Sequence, residues 1–187
     1  ANNMSEQAIY SSDLAGVIVG ETAISDVQGD VGLLSYRGID IKELVDVPYL
    51  HVVWMVLFGE WPTEQEKSRL KAFMCLHTRL TYSEIDLLQN VSRDLHPMLM
   101  LQGLVPLLTL PEEQSLEIGR DAEHGLFIAA KVTALIAAHH RLGQSKGVLP
   151  PIPGRLFHEN FLNMFSGSAP TEEQRRMLDA AQILQME

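Results

Sequence analysis

Residues Asp121 to Leu142, DAEHGLFIAAKVTALIAAHHRL, decide the fold of this chain. Wound as a helix, the stretch places apolar side chains over most of its surface rather than on one stripe, the pattern of a helix enclosed by others. Its most apolar part, Gly125 to His140, is interrupted by Lys131 and falls short of the roughly 20 apolar residues that cross a bilayer. The segment is therefore expected at the centre of a helical bundle, not in a membrane.

The flanking sequence supplies partners for such a helix. Pro62-Thr63-Glu64-Gln65-Glu66 is a helix start in which Thr63 caps and Glu66 answers it three residues later. The same device returns at Thr81 with Glu84 and at Thr171 with Gln174, opening the last helix. Tyr49 to Phe58 is a nearly all-apolar helix between Pro48 and a terminating Gly59, and Asp40 suits as cap of the short segment Ile41 to Asp46. After His96-Pro97 comes an apolar helix carrying Leu99, Leu104, Leu107 and Leu108, which Pro106 should kink or split in two. Phe157 to Ser166 is a further helix. Gly143 to Gly154, with three prolines and three glycines, is the best candidate for a mobile connection. Upstream, Gly16 to Ser25 and Gly32 to Tyr36 are β-prone runs on either side of Asp26 to Asp30, which reads as one small hairpin with everything after Arg37 helical. The architecture is an all-α, orthogonal multi-helical domain with a small N-terminal β-hairpin.

Composition limits the function. The chain has 187 residues and 46% hydrophobic content, enough for a sizeable core. Asp and Glu outnumber Lys and Arg by 24 to 14, and no basic stripe is present that would neutralise phosphates, which argues against nucleic acid and anionic membrane as partners. The single cysteine, Cys75, lies in an amphipathic stretch and reads as a small buried residue of a reducing compartment. Residues 1 to 13 form a polar tail without the basic head and apolar core of a secretory signal, so a cytoplasmic protein is expected.

Spacing alone proposes no chemistry. The seven histidines do not form a metal motif. His139 and His140 are adjacent, so on a helix they point about 100° apart, and no CxxC or HExxH accompanies them. They read as amphipathic residues near a helix end, where the partial negative charge favours an imidazolium. Asp94 could orient His96 as a general base, but a His before Pro more often fixes a turn. Arg37, before Gly38, could hold an anion or form a structural salt bridge with an acid. The glycines match no dinucleotide or P-loop fingerprint, and no Gly-x-Ser-x-Gly elbow occurs.

Several ordered blocks carry a family resemblance. Leu14 to Ser25, LAGVIVGETAIS, and Gly29 to Ile41, GDVGLLSYRGIDI, resemble the opening of citrate synthases, above all Tyr36-Arg37-Gly38. Val56 to Thr63 resembles the family's apolar helix followed by Gly and Leu-Pro-Thr, and Asp94 to Met98 its Asp-x-His-Pro-Met. Lys131 to Arg141 is similar to the Lys-Met-Pro-Thr helix, with Thr133 in place of Pro and His139 and His140 in place of aromatics. These departures should straighten the helix and make its end more polar. His158 to Gly167 and Leu178-Asp179 resemble the Asn-Phe-Leu-x-Met and Leu-Asp blocks. Leu110 to Arg120 aligns with nothing in the family. Ile183 to Glu187 resembles the lead-in to the His-x-Asp-His-Glu segment, with Gln185 where the first His often stands and Glu187 where the Asp stands. The family's oxaloacetate-binding His would be the next residue.

The resemblance implies a citrate or 2-methylcitrate synthase, an acyltransferase that condenses acetyl-CoA or propionyl-CoA with oxaloacetate, with coenzyme A thioester as substrate and no resident cofactor or metal. It implies a homodimer formed through the large domain, of which residues 14 to 187 would be the first part, the small domain and C-terminal part being absent. The family's catalytic carboxylate, histidines and substrate arginines fall beyond Glu187, so no catalytic residue is expected in this chain, which alone should be inactive. Gln185 and Glu187 are at most the edge of the substrate pocket. A truncated record of a full synthase is expected, and the alternative is a short non-catalytic paralogue acting as a dimerisation or regulatory module. In either case Gly125 to His140 and Met177 to Leu184 should present apolar faces that lack a cover. The choice between acetyl and propionyl is not encoded in these residues.

Overall fold

A computed structural model describes residues 20–110, 112 and 116–186. Three short antiparallel strands, β1 (Ser25–Gln28), β2 (Leu33–Tyr36) and β3 (Ile39–Asp40), lie in the order β1-β2-β3. They lead into α1 (Ile41–Leu44), α2 (Tyr49–Phe58), α3 (Glu64–Thr78), α4 (Tyr82–Gln89), α5 (Pro97–Leu104), a 3-10 turn (Val105–Leu107), α6 (Arg120–Gly143), α7 (Phe157–Ser166) and α8 (Glu172–Ile183). The domain is mostly helical, as the sequence indicates.

The small sheet departs from the expected hairpin. Residues 16–19 lie outside the described part, and Gly20 to Ile24 are not strand, because the Ile24 amide donates to the Thr22 hydroxyl at 3.1 Å instead of to a neighbouring strand. The first strand is therefore Ser25–Gln28, and the reversal is Gly29 to Gly32, where Gly32 takes a φ of 67°. A second reversal follows. Tyr36 pairs with Ile39 across Arg37 and Gly38, whose φ values of 51° and 79° make a two-residue hairpin loop, so a third strand precedes the first helix. Tyr36 is fully buried.

Helix starts follow the capping residues. Thr63 and Thr171 form complete capping boxes with Glu66 and Gln174, and Asp40 accepts the Lys42 amide to open α1, which ends at Leu44 rather than Asp46. At Thr81 only half the box forms: the hydroxyl accepts the Glu84 amide, while the Glu84 carboxylate turns to Lys131. Pro106 divides the apolar stretch as expected, α5 ending at Leu104 with the proline inside the 3-10 turn. The Thr133 hydroxyl donates to the Ala129 carbonyl at 2.8 Å, and α6 runs unbroken across that position.

Side chains of α6 occupy two of the three core clusters. Leu126, Phe127 and Ala130 pack with Trp54, Leu70, Phe73 and Met74 of α2 and α3, while Ala134, Leu135, Ala137 and Ala138 pack with Leu88, Met100 and Met164 of α4, α5 and α7. The third cluster, Tyr36, Leu44, Val52, Met55, Val56 and Ile183, ties the sheet and first helices to the last helix. Gly125 to His140 is thus covered by this chain's own helices, contrary to expectation. Bare apolar side chains lie elsewhere, among them Met98, Leu99 and Leu107 around α5, Leu76 and Tyr82 of α3 and α4, and Met177 and Leu184 on and after α8. Cys75 is half-buried rather than enclosed.

The stretch expected to be mobile is tied down. The Lys146 amide donates to the Arg141 carbonyl and Arg141 Nε to the Gly147 carbonyl at 2.6 Å. The Asn160 side chain then holds both backbone groups of Ile152, accepting from its N–H at 2.8 Å and donating to its carbonyl at 3.1 Å. Proline and glycine content records where the chain turns; these hydrogen bonds decide how far it moves.

Candidate functional site

The most chemically endowed place in the described residues lies where the starts of α2 and α7 meet α3 and α8. His158, the second residue of α7, is 5% exposed, and its Nδ1 is in short contact with Oδ1 of Asp179, one turn before the end of α8. Because an ionised carboxylate only accepts, the imidazole proton of that contact sits on Nδ1, which leaves Nε2 as the free ring nitrogen. Asp179 Oδ2 accepts from Arg175 Nη1 at 3.1 Å, and Arg175 Nη2 also donates to Glu172 at 2.7 Å. Glu159 stands 3.8 Å from Arg175 Nε and accepts the Leu156 amide at the head of α7. One arginine thus ties the start of α7 to the whole length of α8.

Tyr49, the first residue of α2, tilts over the His158 ring at a centroid distance of 4.6 Å. Burial, and then the Asp179 carboxylate, raise its phenol above the ordinary tyrosine value. A cavity of about 280 Å³ opens beside this pair, lined on the far side by His51, Ser68, Lys67 and Lys71. Lys67 is paired with Glu64 at 2.6 Å, and that bond is the main reason the Glu64 carboxyl lies below its ordinary value. His51 is pushed down by burial first and by Lys67 second, with Glu64 opposing. The arrangement offers a fixed imidazole, a hydroxyl and an ammonium around one space.

Positions singled out from the sequence are distributed differently. Gln185 sits in the exposed turn after α8, its amide donating to the Gln182 carbonyl, and does not line the His158 cavity. Glu187 lies outside the described residues. Arg37 makes neither of the two contacts weighed for it: its Nε donates to the Val56 carbonyl at 3.0 Å and its Nη2 to that of Leu57, so the guanidinium closes the C-terminal end of α2. His96 caps α5 by accepting the Met98 amide at Nδ1, the turn-fixing role. Both lie near the C-terminal end of α6: His139 is buried with Nε2 against the Leu95 carbonyl at 2.8 Å, and His140, in the last turn, stacks on Phe165 at 3.9 Å. Among the described residues no group of three His, Cys, Asp or Glu is placed to hold a metal, and no helix is long and apolar enough to cross a membrane. The His158–Asp179 pair escaped sequence reasoning because its members are 21 positions apart on different helices. The only local signal was Arg175 four residues before Asp179 at helical spacing.

Comparison with known proteins places this geometry in a family. The family model described as citrate synthase, C-terminal domain, matches residues 13–187. Citrate synthase of Haloferax volcanii is 30% identical over 178 residues, covering 91% of this chain and 47% of that protein. Citrate/2-methylcitrate synthase of Bacillus subtilis is 29% identical over 187 residues, covering 98% of this chain and 50% of that protein. In three dimensions the chain is similar to the crystal structure of citrate synthase from Thermotoga maritima, with a TM-score of 0.82 and 25% identity over 96% of this chain and 47% of that one. The chain spans about half the length of the curated relatives it matches. With a family model matching from residue 13 to residue 187 and a superposition over nearly all of the fold, this chain belongs to the citrate synthase family.

Proposed function

We propose that residues 14 to 187 are the first part of the large helical domain of an acyl-CoA:oxaloacetate C-acyltransferase that makes citrate or 2-methylcitrate. The observation that carries this reading is the ordered match to citrate synthases over the whole described fold, extending to about half of their length. In such a reaction a carboxylate removes a proton from the thioester methyl, a histidine stabilises the resulting enol, and a second histidine polarises the keto group that the new carbon–carbon bond reaches. The His158 cavity holds two histidines and two carboxylates, but Asp179 is engaged by His158 and Arg175 and Glu64 by Lys67, so neither carboxylate is a free base for that proton. The chain alone is therefore expected to be inactive, its part being to hold the segment after α8 in place.

Arg175 and the His158–Asp179 pair anchor α8 to α7, and Ile183 docks its end in the core of the sheet and α2. That anchoring would present residues 184 to 186, with Gln185 at the rim, toward the oxaloacetate-binding residue of the family. The bare Met98, Leu99, Leu107 and Met177 are apolar area whose burial would favour a homodimer of the complete enzyme at roughly 25 cal/mol per Å². Acyl-CoA and oxaloacetate enter as substrates without a resident cofactor, in the cytoplasm.

Denatured mass measurement of the purified protein, with thiol release from acetyl-CoA and from propionyl-CoA in the presence of oxaloacetate, tests the reading. Activity from a chain about twice this length supports it, with the faster thioester naming the substrate. A natural product of 187 residues without activity would replace it with the dimerisation or regulatory module.

A further inference from the structure

No further inference is drawn: the strongest candidate, the open apolar groove between the α3–α4 turn and residues 148–150, walled by Leu76, Leu80, Ile85 and Leu149, carries nothing, because its buried charge, Lys131, is already met by Glu84 and the Arg79 carbonyl and nothing in the structure shows what covers it.

Discussion

Lys131 Nζ, in the middle of α6, lies 2.9 Å from Glu84 Oε1 of α4 and donates as well to the Arg79 carbonyl at 2.9 Å, with the lysine side chain only 4% exposed. The pair joins the central helix to the turn between α3 and α4. Removing one charge strands the other in the interior, which costs about 3–5 kcal/mol, whereas replacing both with apolar residues is often near neutral. Lys131→Met should therefore lower denaturant stability by about that much, and Lys131→Met with Glu84→Leu should recover most of it. A double-mutant cycle by urea unfolding reads the coupling directly, and additive losses would show that the pair carries none.

Arg37 closes α2 from the hairpin loop. Its guanidinium satisfies carbonyls that α2 leaves open, so Arg37→Ala should cost about 1–2 kcal/mol and loosen the amides of the last turn of α2 in hydrogen exchange. Arg37→Lys should behave nearly as badly, since a point charge cannot reach both Val56 and Leu57.

Gly167 ends α7 with a φ of 82°, and a Cβ built there would stand 2.5 Å from Arg141 Nη1. Gly167→Ala should lose about 1–2 kcal/mol through left-handed backbone strain and also displace the arginine that holds Gly147. Limited proteolysis should then cut within residues 144–154, where the unmodified chain resists.

His77, wedged between Phe73 and Phe127, has its basicity lowered by burial first and by Lys131 second, with Glu123 and Glu84 opposing, and His51 is lowered as well. A histidine less basic folded than unfolded binds its proton more readily in the unfolded chain. Stability should therefore be full above the unfolded value of 6.5 and fall as pH drops below it. His77→Phe should flatten that slope in melting curves taken across the window; an unchanged slope would assign it to His51 or to other groups.

Helix starts were legible because their determinants are local: Thr63 and Thr171 meet residues three positions away. Thr81 shows where such reading stops. Its Glu84 had the right spacing but was taken by Lys131, 47 positions along, a competitor visible only in the fold. The described part of the strand expected at Gly16 to Ser25 is strand only at Ser25, for a comparable reason. β-propensity was satisfied, but strand formation depends on which partner the hairpin register brings alongside, and Ser25–Gln28 is what Leu33–Tyr36 meets. Tyr36-Arg37-Gly38 was recognisable as a motif, while the reason for its residue types is spatial: a core ring, a clasp on α2 and a left-handed turn. The His158 cavity was invisible, since its walls come from four helices.

Because α6 feeds both larger core clusters, the order of synthesis constrains this chain. α2 through α5 leave the ribosome first, with apolar faces whose central partner is still unmade; one cluster is complete only when Ala130 has cleared the exit tunnel and the other only when Met164 has. Nascent chains ending before Ala130 should stay open and bound by chaperones, with compaction arriving in two steps as α6 and then α7 emerge.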